Sequence, residues 1–267
     1  MKKINFSNKT LIMSILNLSQ NSFYPNSIKS IKEVRDVAYD NIDYYDILDI
    51  GAESTRPFSD PISSEEEIKL LEPVIKELCD FTLPISIDTY KSKTAKEMLK
   101  LGVDIINDVA GGELDSDMFR VISDYCPYYI CGHIQNTPKD MQVDPQYDDV
   151  VKDIYNFFED KIDKLTTLGF PKEKLILDPC IGFGKTLQDN IIILKNISEF
   201  KKLGFPVLIG TSRKGMHRNL VNINSDYDML IATLASNSIA VTNGADIIRV
   251  HDPKEFKIFI DVLDELK

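Results

Sequence analysis

The chain has 267 residues, with 31 Lys and Arg against 42 Asp and Glu, a formal net charge of −11. Apolar residues make up 43% and charged residues 27% of it, which supplies a large core and excludes a disordered chain. The acidic balance excludes a general nucleic-acid binder, which needs a basic face to displace phosphate counterions, but it leaves room for a local basic pocket. In chain order, the opening Met1-Lys2-Lys3-Ile4-Asn5-Phe6 lacks the apolar stretch of a signal peptide. An apolar run at 11–16 then reads as a strand, followed by a second at 47–50. Ser64 caps a helix that continues to Leu78, with Glu65, Glu66 and Glu67 in its first turn and Ile68, Leu71, Val74 and Ile75 at helical spacing. A strand at 84–87 leads to a helix at 92–101 that stops at Gly102, and strands follow at 103–106 and 128–131. A helix at 155–168 stops at Gly169-Phe170-Pro171, a strand runs over 175–177, and a helix at 190–203 stops at Gly204-Phe205-Pro206. Strands at 206–209 and 246–250 complete the series.

These eight runs are short and almost continuously apolar, as parallel strands buried on both faces must be. Eight strand–helix units in this length fit a (β/α)8 TIM barrel, with a doubly wound open sheet as the structural alternative. No linker-like segment interrupts them, so 1–267 reads as one domain. No apolar run approaches the roughly 18 residues of a membrane span. Cys79, Cys126, Cys131 and Cys180 form no CxxC pair, and they are expected as reduced thiols in a cytoplasmic protein.

In a barrel, functional residues sit at the C-terminal ends of the strands. The exits here are Asn17, Glu53 through Arg56, Asp88, Asn107-Asp108, His133, Asp178, Ser212-Arg213-Lys214 and Arg249-Val250-His251. Asp88, Asn107 and Asp178 suit a flat heterocycle with several N–H donors and acceptors, because a carboxylate accepts two hydrogen bonds side by side. Arg56, Lys214, Arg249 and His251 suit an anion such as phosphate. The Asn17 carbonyl suits Mg²⁺, a hard cation held by few protein ligands plus phosphate oxygens. His133 reads equally well as a core histidine, and His217 as structural or solvated. Gly184-Lys185-Thr186 imitates a P-loop but has Pro179 where the first glycine belongs. With Gly182 it reads as a glycine-rich loop that lets the backbone approach a ligand.

Several segments, in order along nearly the whole chain, resemble dihydropteroate synthase. They are Ile15-Leu16-Asn17-Leu18 with Ser22-Phe23, Asp49-Ile50-Gly51 with Glu53-Ser54-Thr55-Arg56-Pro57, and Ser86-Ile87-Asp88-Thr89-Tyr90. Ile105-Ile106-Asn107-Asp108-Val109, Leu177-Asp178-Pro179 with Gly182-Phe183-Gly184-Lys185-Thr186, Gly210-Thr211-Ser212-Arg213-Lys214 and Arg249-Val250-His251-Asp252 follow. The resemblance implies a homodimeric, Mg²⁺-dependent barrel enzyme of folate synthesis. Its reaction joins 6-hydroxymethyl-7,8-dihydropterin diphosphate to p-aminobenzoate, giving 7,8-dihydropteroate and diphosphate. It implies that Asp88, Asn107, Asp178 and Lys214 hold the pterin, and that Arg249, His251 and the Mg²⁺ contact Asn17 hold the diphosphate. Phe23, Thr55, Arg56, Pro57, Phe183 and Ser212 resemble the wall around p-aminobenzoate. The resemblance further implies that Asp88, Asp178, Lys214 and Asn21 form the catalytic set.

The chain departs from the family pattern in three places. Gln20-Asn21 precede Ser22-Phe23 where Pro and Asp are usual, and Phe58 and Cys180 follow Pro57 and Pro179 where glycine is common. A pterin-dependent methyltransferase is the nearest rival, but it should lack the Ser-Thr-Arg-Pro and Ser-Arg-Lys segments. A non-catalytic or diverged pterin-binding protein is the rival of a different class.

Overall fold

A computed structural model describes residues 1–6, 9–18, 28–53 and 60–266. In the first half, strands β1 (Leu11–Asn17), β2 (Ile47–Gly51), β3 (Ile85–Asp88) and β4 (Ile105–Asp108) alternate with helices α1 (Ile28–Asp40), α2 (Ser64–Glu77) and α3 (Ser92–Lys100). Helix α4 (Met118–Tyr125), β5 (Tyr128–Gly132), α5 (Val150–Thr167) and β6 (Leu175–Asp178) follow, then the short pair α6 (Leu187–Lys195) and α7 (Ile197–Lys201). The chain closes with β7 (Leu208–Ile209), α8 (Met216–Leu220), α9 (Asp226–Thr242), β8 (Ile247–Val250) and α10 (Pro253–Leu266).

All strand pairs are parallel, in the order β6-β5-β4-β3-β2-β1-β8-β7. A parallel bridge between Leu177 and Val207 joins the two ends of that series, and the Leu177 N–H donates to the Pro206 carbonyl at 2.9 Å. The sheet therefore closes into a (β/α)8 barrel, and the open-sheet alternative falls. Strand β7 shrinks to two residues because Pro206 has no N–H to give a ladder.

Side-chain alternation divides the core in two. Leu11, Met13, Ile47, Ile105, Tyr128, Ile130, Ile176, Leu208 and Ile247 pack together in the lumen with Ile4. Their neighbours along the strands, such as Ile12, Leu48, Ile87, Ile106, Tyr129, Leu177 and Ile248, fill the layer beneath the helices. The segment before β1 covers the lower end of the lumen. There the Ile4 N–H donates to the Tyr128 hydroxyl at 3.1 Å, and the Lys2 N–H to Asp104 Oδ1 at 2.6 Å.

The element ends correct several expectations. The cap of α2 is Ser63, one residue before the predicted Ser64: Ser63 closes a capping box with Glu66, whereas Glu67, three residues after Ser64, is buried and accepts from Thr89 and Thr94. Helix α5 starts at Val150, five residues before the predicted 155, where Asp149 accepts from the Val151 and Lys152 N–H groups. The helix predicted over 190–203 begins at Leu187 and breaks at Asn196, which leaves the helical conformation at φ −123°. The three predicted glycine stops hold, with Gly102, Gly169 and Gly204 at φ of 95°, 80° and 86°.

Candidate active site

Parallel register places Asn17, Gly51, Asp88 and Asn107 side by side across β1 to β4 at their C-terminal ends. Gly51 keeps the middle of this row open: a Cβ there would lie 3.3 Å from Asn17 Oδ1 and 3.5 Å from the Asp88 Cβ. Two residues earlier on β2, Asp49 is wholly buried. Arg249 from β8 joins the two acids. Its Nε donates to Asp49 Oδ2 and its Nη2 to Asp88 Oδ2, each at 2.6 Å. Asn107 Nδ2 donates to the same Asp49 oxygen at 3.2 Å, while Asp49 Oδ1 is buried with no hydrogen-bond partner among the described residues.

Across the mouth, Asp178 Oδ1 accepts the Cys180 N–H at 2.7 Å, and its Oδ2 accepts no hydrogen bond among the described residues. This turn puts Cys180 at φ 50°. That conformation costs a side chain about 1 kcal/mol and explains why glycine suits the position. The Lys214 ammonium donates to the Ile181 carbonyl and lies 4.4 Å from the centre of the Phe183 ring. Ser212 Oγ is 3.0 Å from His251 Nδ1 and accepts the His251 N–H at 3.2 Å.

Burial sets the electrostatics of this layer. It pushes the Asp88 carboxyl up to about 7, against the pull of Arg249 and with help from the charge of Asp49. Asp178 is raised by burial too, with Lys214 drawing it back. Lys214 falls to about 8 for the same reason. Burial also works against the Arg249 charge, but Asp49 and Asp88 outweigh it and hold this guanidinium above its usual range. The layer thus offers buried acceptors and buried cations together, with few internal hydrogen bonds to satisfy them. Such a surface is complementary to a flat, polar ligand carrying an anion.

Asp88, Asn107, Asp178, Lys214 and Arg249 come together as expected, with Asn17 and Asp88 either side of Gly51 and Phe183 under Lys214. Ser212 and His251 meet each other. Asn21, Phe23, Thr55, Arg56, Pro57 and Phe58 lie outside the described residues. Four of the expected exit groups are engaged elsewhere. Glu53 pairs with Lys91 and accepts from the Tyr90 hydroxyl at 2.6 Å. Asp108 is buried, accepting from Tyr129 and from the Ala110 and Gly112 N–H groups. His133 contacts Lys185, and Arg213 pairs with Asp252. His217 is structural, held between the Lys214 carbonyl and Ser236. Gly184 does not serve close approach to a ligand: its missing side chain makes room for the backbone of Gln135, whose oxygen would lie 2.7 Å from a Cβ.

Sequence reasoning gave Asp49 no role and dismissed Lys185. The signal for Asp49 was present, since a lone acid inside the apolar run 47–50 must be partnered when buried.

Comparisons with known proteins agree with this layout. The model of a family described as "Pterin binding enzyme" matches residues 13–251. Dihydropteroate synthase of Clostridium beijerinckii is 36% identical over 265 residues, covering 95% of this chain and 93% of that protein. The crystal structure of dihydropteroate synthase from Clostridium difficile in the presence of pteroic acid superposes with a TM-score of 0.91, at 36% identity and 99% coverage of both chains. The Xanthomonas albilineans dihydropteroate synthase with 4-aminobenzoic acid gives a TM-score of 0.88 at 30% identity, covering 97% of this chain and 93% of that one. With its strand-end residues, its closed barrel and its relatives in agreement along almost its full length, the chain belongs to the dihydropteroate synthase family of pterin-binding enzymes.

Proposed function

We propose that the protein condenses 6-hydroxymethyl-7,8-dihydropterin diphosphate with p-aminobenzoate, releasing diphosphate and 7,8-dihydropteroate. The convergence of Asp88, Asn107, Asp178, Lys214 and Arg249 on one buried layer carries this reading. The unbonded Asp178 Oδ2, together with Asn107, accepts and donates along the edge of the pterin ring, and Lys214 donates to a ring acceptor. Arg249 and His251 bind the diphosphate, and Phe23, Thr55, Arg56, Pro57, Phe183 and Ser212 enclose the aromatic amine. The pterin methylene–oxygen bond breaks with its electron pair leaving on diphosphate. The amine nitrogen then forms the new bond to carbon and loses a proton. The protein supplies positioning and electrostatic stabilisation and needs no covalent nucleophile.

The residues fit Mg²⁺. Among the described residues no group of three or more His, Cys, Asp or Glu makes a metal cage, and none makes a hydrogen bond with the Asn17 side-chain amide. A hard oxygen donor in the mouth, without a cage, suits a cation that is held largely by phosphate oxygens and water. Asn17 would hold it, and the bound cation would neutralise charge on the departing diphosphate.

A homodimer is part of the proposal. Tyr227, Ile231 and Ile239 are exposed along α9 at intervals of four and eight residues, a stripe suited to an isologous contact. Light scattering should give twice the chain mass. The reaction itself is tested by chromatography of the pterin products, with and without p-aminobenzoate and Mg²⁺. Dihydropteroate is expected only when both are present; no pteroate product at any pH or Mg²⁺ level would refute the reading.

A further inference from the structure

The Gly184-Lys185-Thr186 segment and His133 are left unexplained by the reaction, and the structure brings them together. Lys185 is 2% exposed and His133 8%. The Lys185 ammonium lies 2.8 Å from the Phe183 carbonyl, 3.0 Å from the His133 carbonyl and 3.1 Å from His133 Nδ1. An ammonium has three N–H donors and no acceptor, so these three contacts saturate it. Among the described residues no carboxylate bonds it, and burial lowers Lys185 to about 7. With Lys185 protonated, Nδ1 is its acceptor, in a neutral imidazole with the proton on Nε2. Burial and the adjacent lysine hold His133 well below the usual histidine range, consistent with a neutral ring.

The loop this lysine closes carries the seat of Lys214. Ile181 gives its carbonyl to the Lys214 ammonium, and the Phe183 ring lies beneath it. The rest of the loop is fastened from outside: Gln142 donates to the Gly182 carbonyl at 2.6 Å, and Tyr147 donates to the Gly184 carbonyl at 2.8 Å. Among the described residues only Lys185 donates to the Phe183 carbonyl, and it ties that atom to the exit of β5.

We infer that Lys185 and neutral His133 form a buried positioning pair, which fixes the β6–α6 loop so that Phe183 and the Ile181 carbonyl hold Lys214 against the substrate. The pair acts through Lys214 and Phe183 and touches no reacting atom. This rests on the dihydropteroate synthase reading above.

The role of His133 Nδ1 as an acceptor is separable from packing, because the ring also meets Phe157 edge to face at 4.8 Å. His133→Asn keeps an acceptor oxygen near the Nδ1 position and loses the ring. His133→Leu keeps apolar bulk and loses the acceptor. Steady-state kinetics with pterin diphosphate and p-aminobenzoate, normalised to folded enzyme, should give KM values for H133N within threefold of the parent and for H133L at least tenfold higher. Loss of folded protein alone would lower apparent kcat and leave KM unmoved. A KM for H133L less than tenfold above the parent, or one for H133N more than threefold above it, overturns the inference. If H133L does not fold, Lys185→Met, which keeps the stem and removes the three donors, replaces it under the same criterion. The parent enzyme is the control: an inactive parent refutes the proposed reaction, whereas an active parent with the wrong variant order refutes only the positioning pair.

Discussion

The lower and upper halves of the barrel lumen are built from the same strands and have opposite chemistry. Below, Met13, Ile47, Ile105, Ile130, Ile176 and Ile247 form an apolar plug sealed by Ile4 and Tyr128. Two residues after Ile47, Ile105, Ile176 and Ile247, the same inward-facing register presents Asp49, Asn107, Asp178 and Arg249, and Asp88 joins them two residues after Ser86. The plug gains stability from burial, at about 25 cal/mol for each Å² of apolar surface. The upper layer spends stability: Asp88 and Asp178 are raised and Lys214 lowered because burial disfavours their charged forms. Stability and ligand binding are thus stacked along one axis, and substitutions should separate them by layer.

The largest expected effect lies in the plug. Ile105→Ala removes a wholly buried side chain and should cost about 2–5 kcal/mol of unfolding free energy. Denaturant titration reads this, with KM for both substrates unchanged; a shifted KM at intact stability would break the separation of layers. In the upper layer, Asp178→Ala should weaken pterin binding by about 1.5–3 kcal/mol, the worth of a charged hydrogen-bonding partner. The melting temperature should stay level or rise, since a desolvated carboxylate is removed. Calorimetry with a pterin ligand and a thermal melt check both halves of that statement.

Asp88 sharpens the comparison through pH. With its carboxyl pushed up to about 7 and an unfolded value near 4, the folded state binds the extra proton between these limits. Stability gained at low pH is therefore lost as pH rises through 7. Asp88→Asn should flatten this slope by at most about 1.4 kcal/mol per pH unit, one proton's worth. Urea titrations of the parent and the variant at pH 5 and pH 8 measure the difference, and parallel curves would show that Asp88 does not titrate there. The smallest effect concerns Asn21, outside the described residues. A carboxylate there would stabilise positive charge developing on the pterin methylene, so Asn21→Asp should raise turnover of p-aminobenzoate by up to about tenfold, or roughly 1.4 kcal/mol. Unchanged or reduced kcat would remove the charge argument.

The alternation of apolar runs with amphipathic segments, and the glycine stops at 102, 169 and 204, were legible in the sequence because they are set by neighbours a few residues apart. The strand-end residues Asp88, Asn107, Asp178, Lys214 and Arg249 were legible for the same reason: each follows an apolar run in a parallel barrel, where exits converge by topology. Exit position alone did not show which way a side chain turns. Glu53 and Asp108 sit at exits like Asp88, yet one is drawn to Lys91 and Tyr90 and the other folds back on the Ala110 and Gly112 N–H groups. Tertiary structure alone decided the pairing of Arg249 with Asp49 and Asp88, 200 and 161 residues away, and the meeting of Lys185 with His133 across 52. Contacts of that range leave no local periodicity. They exist because ring closure brings the first and last strands together and because a charge taken out of water must find its partner wherever the fold places one.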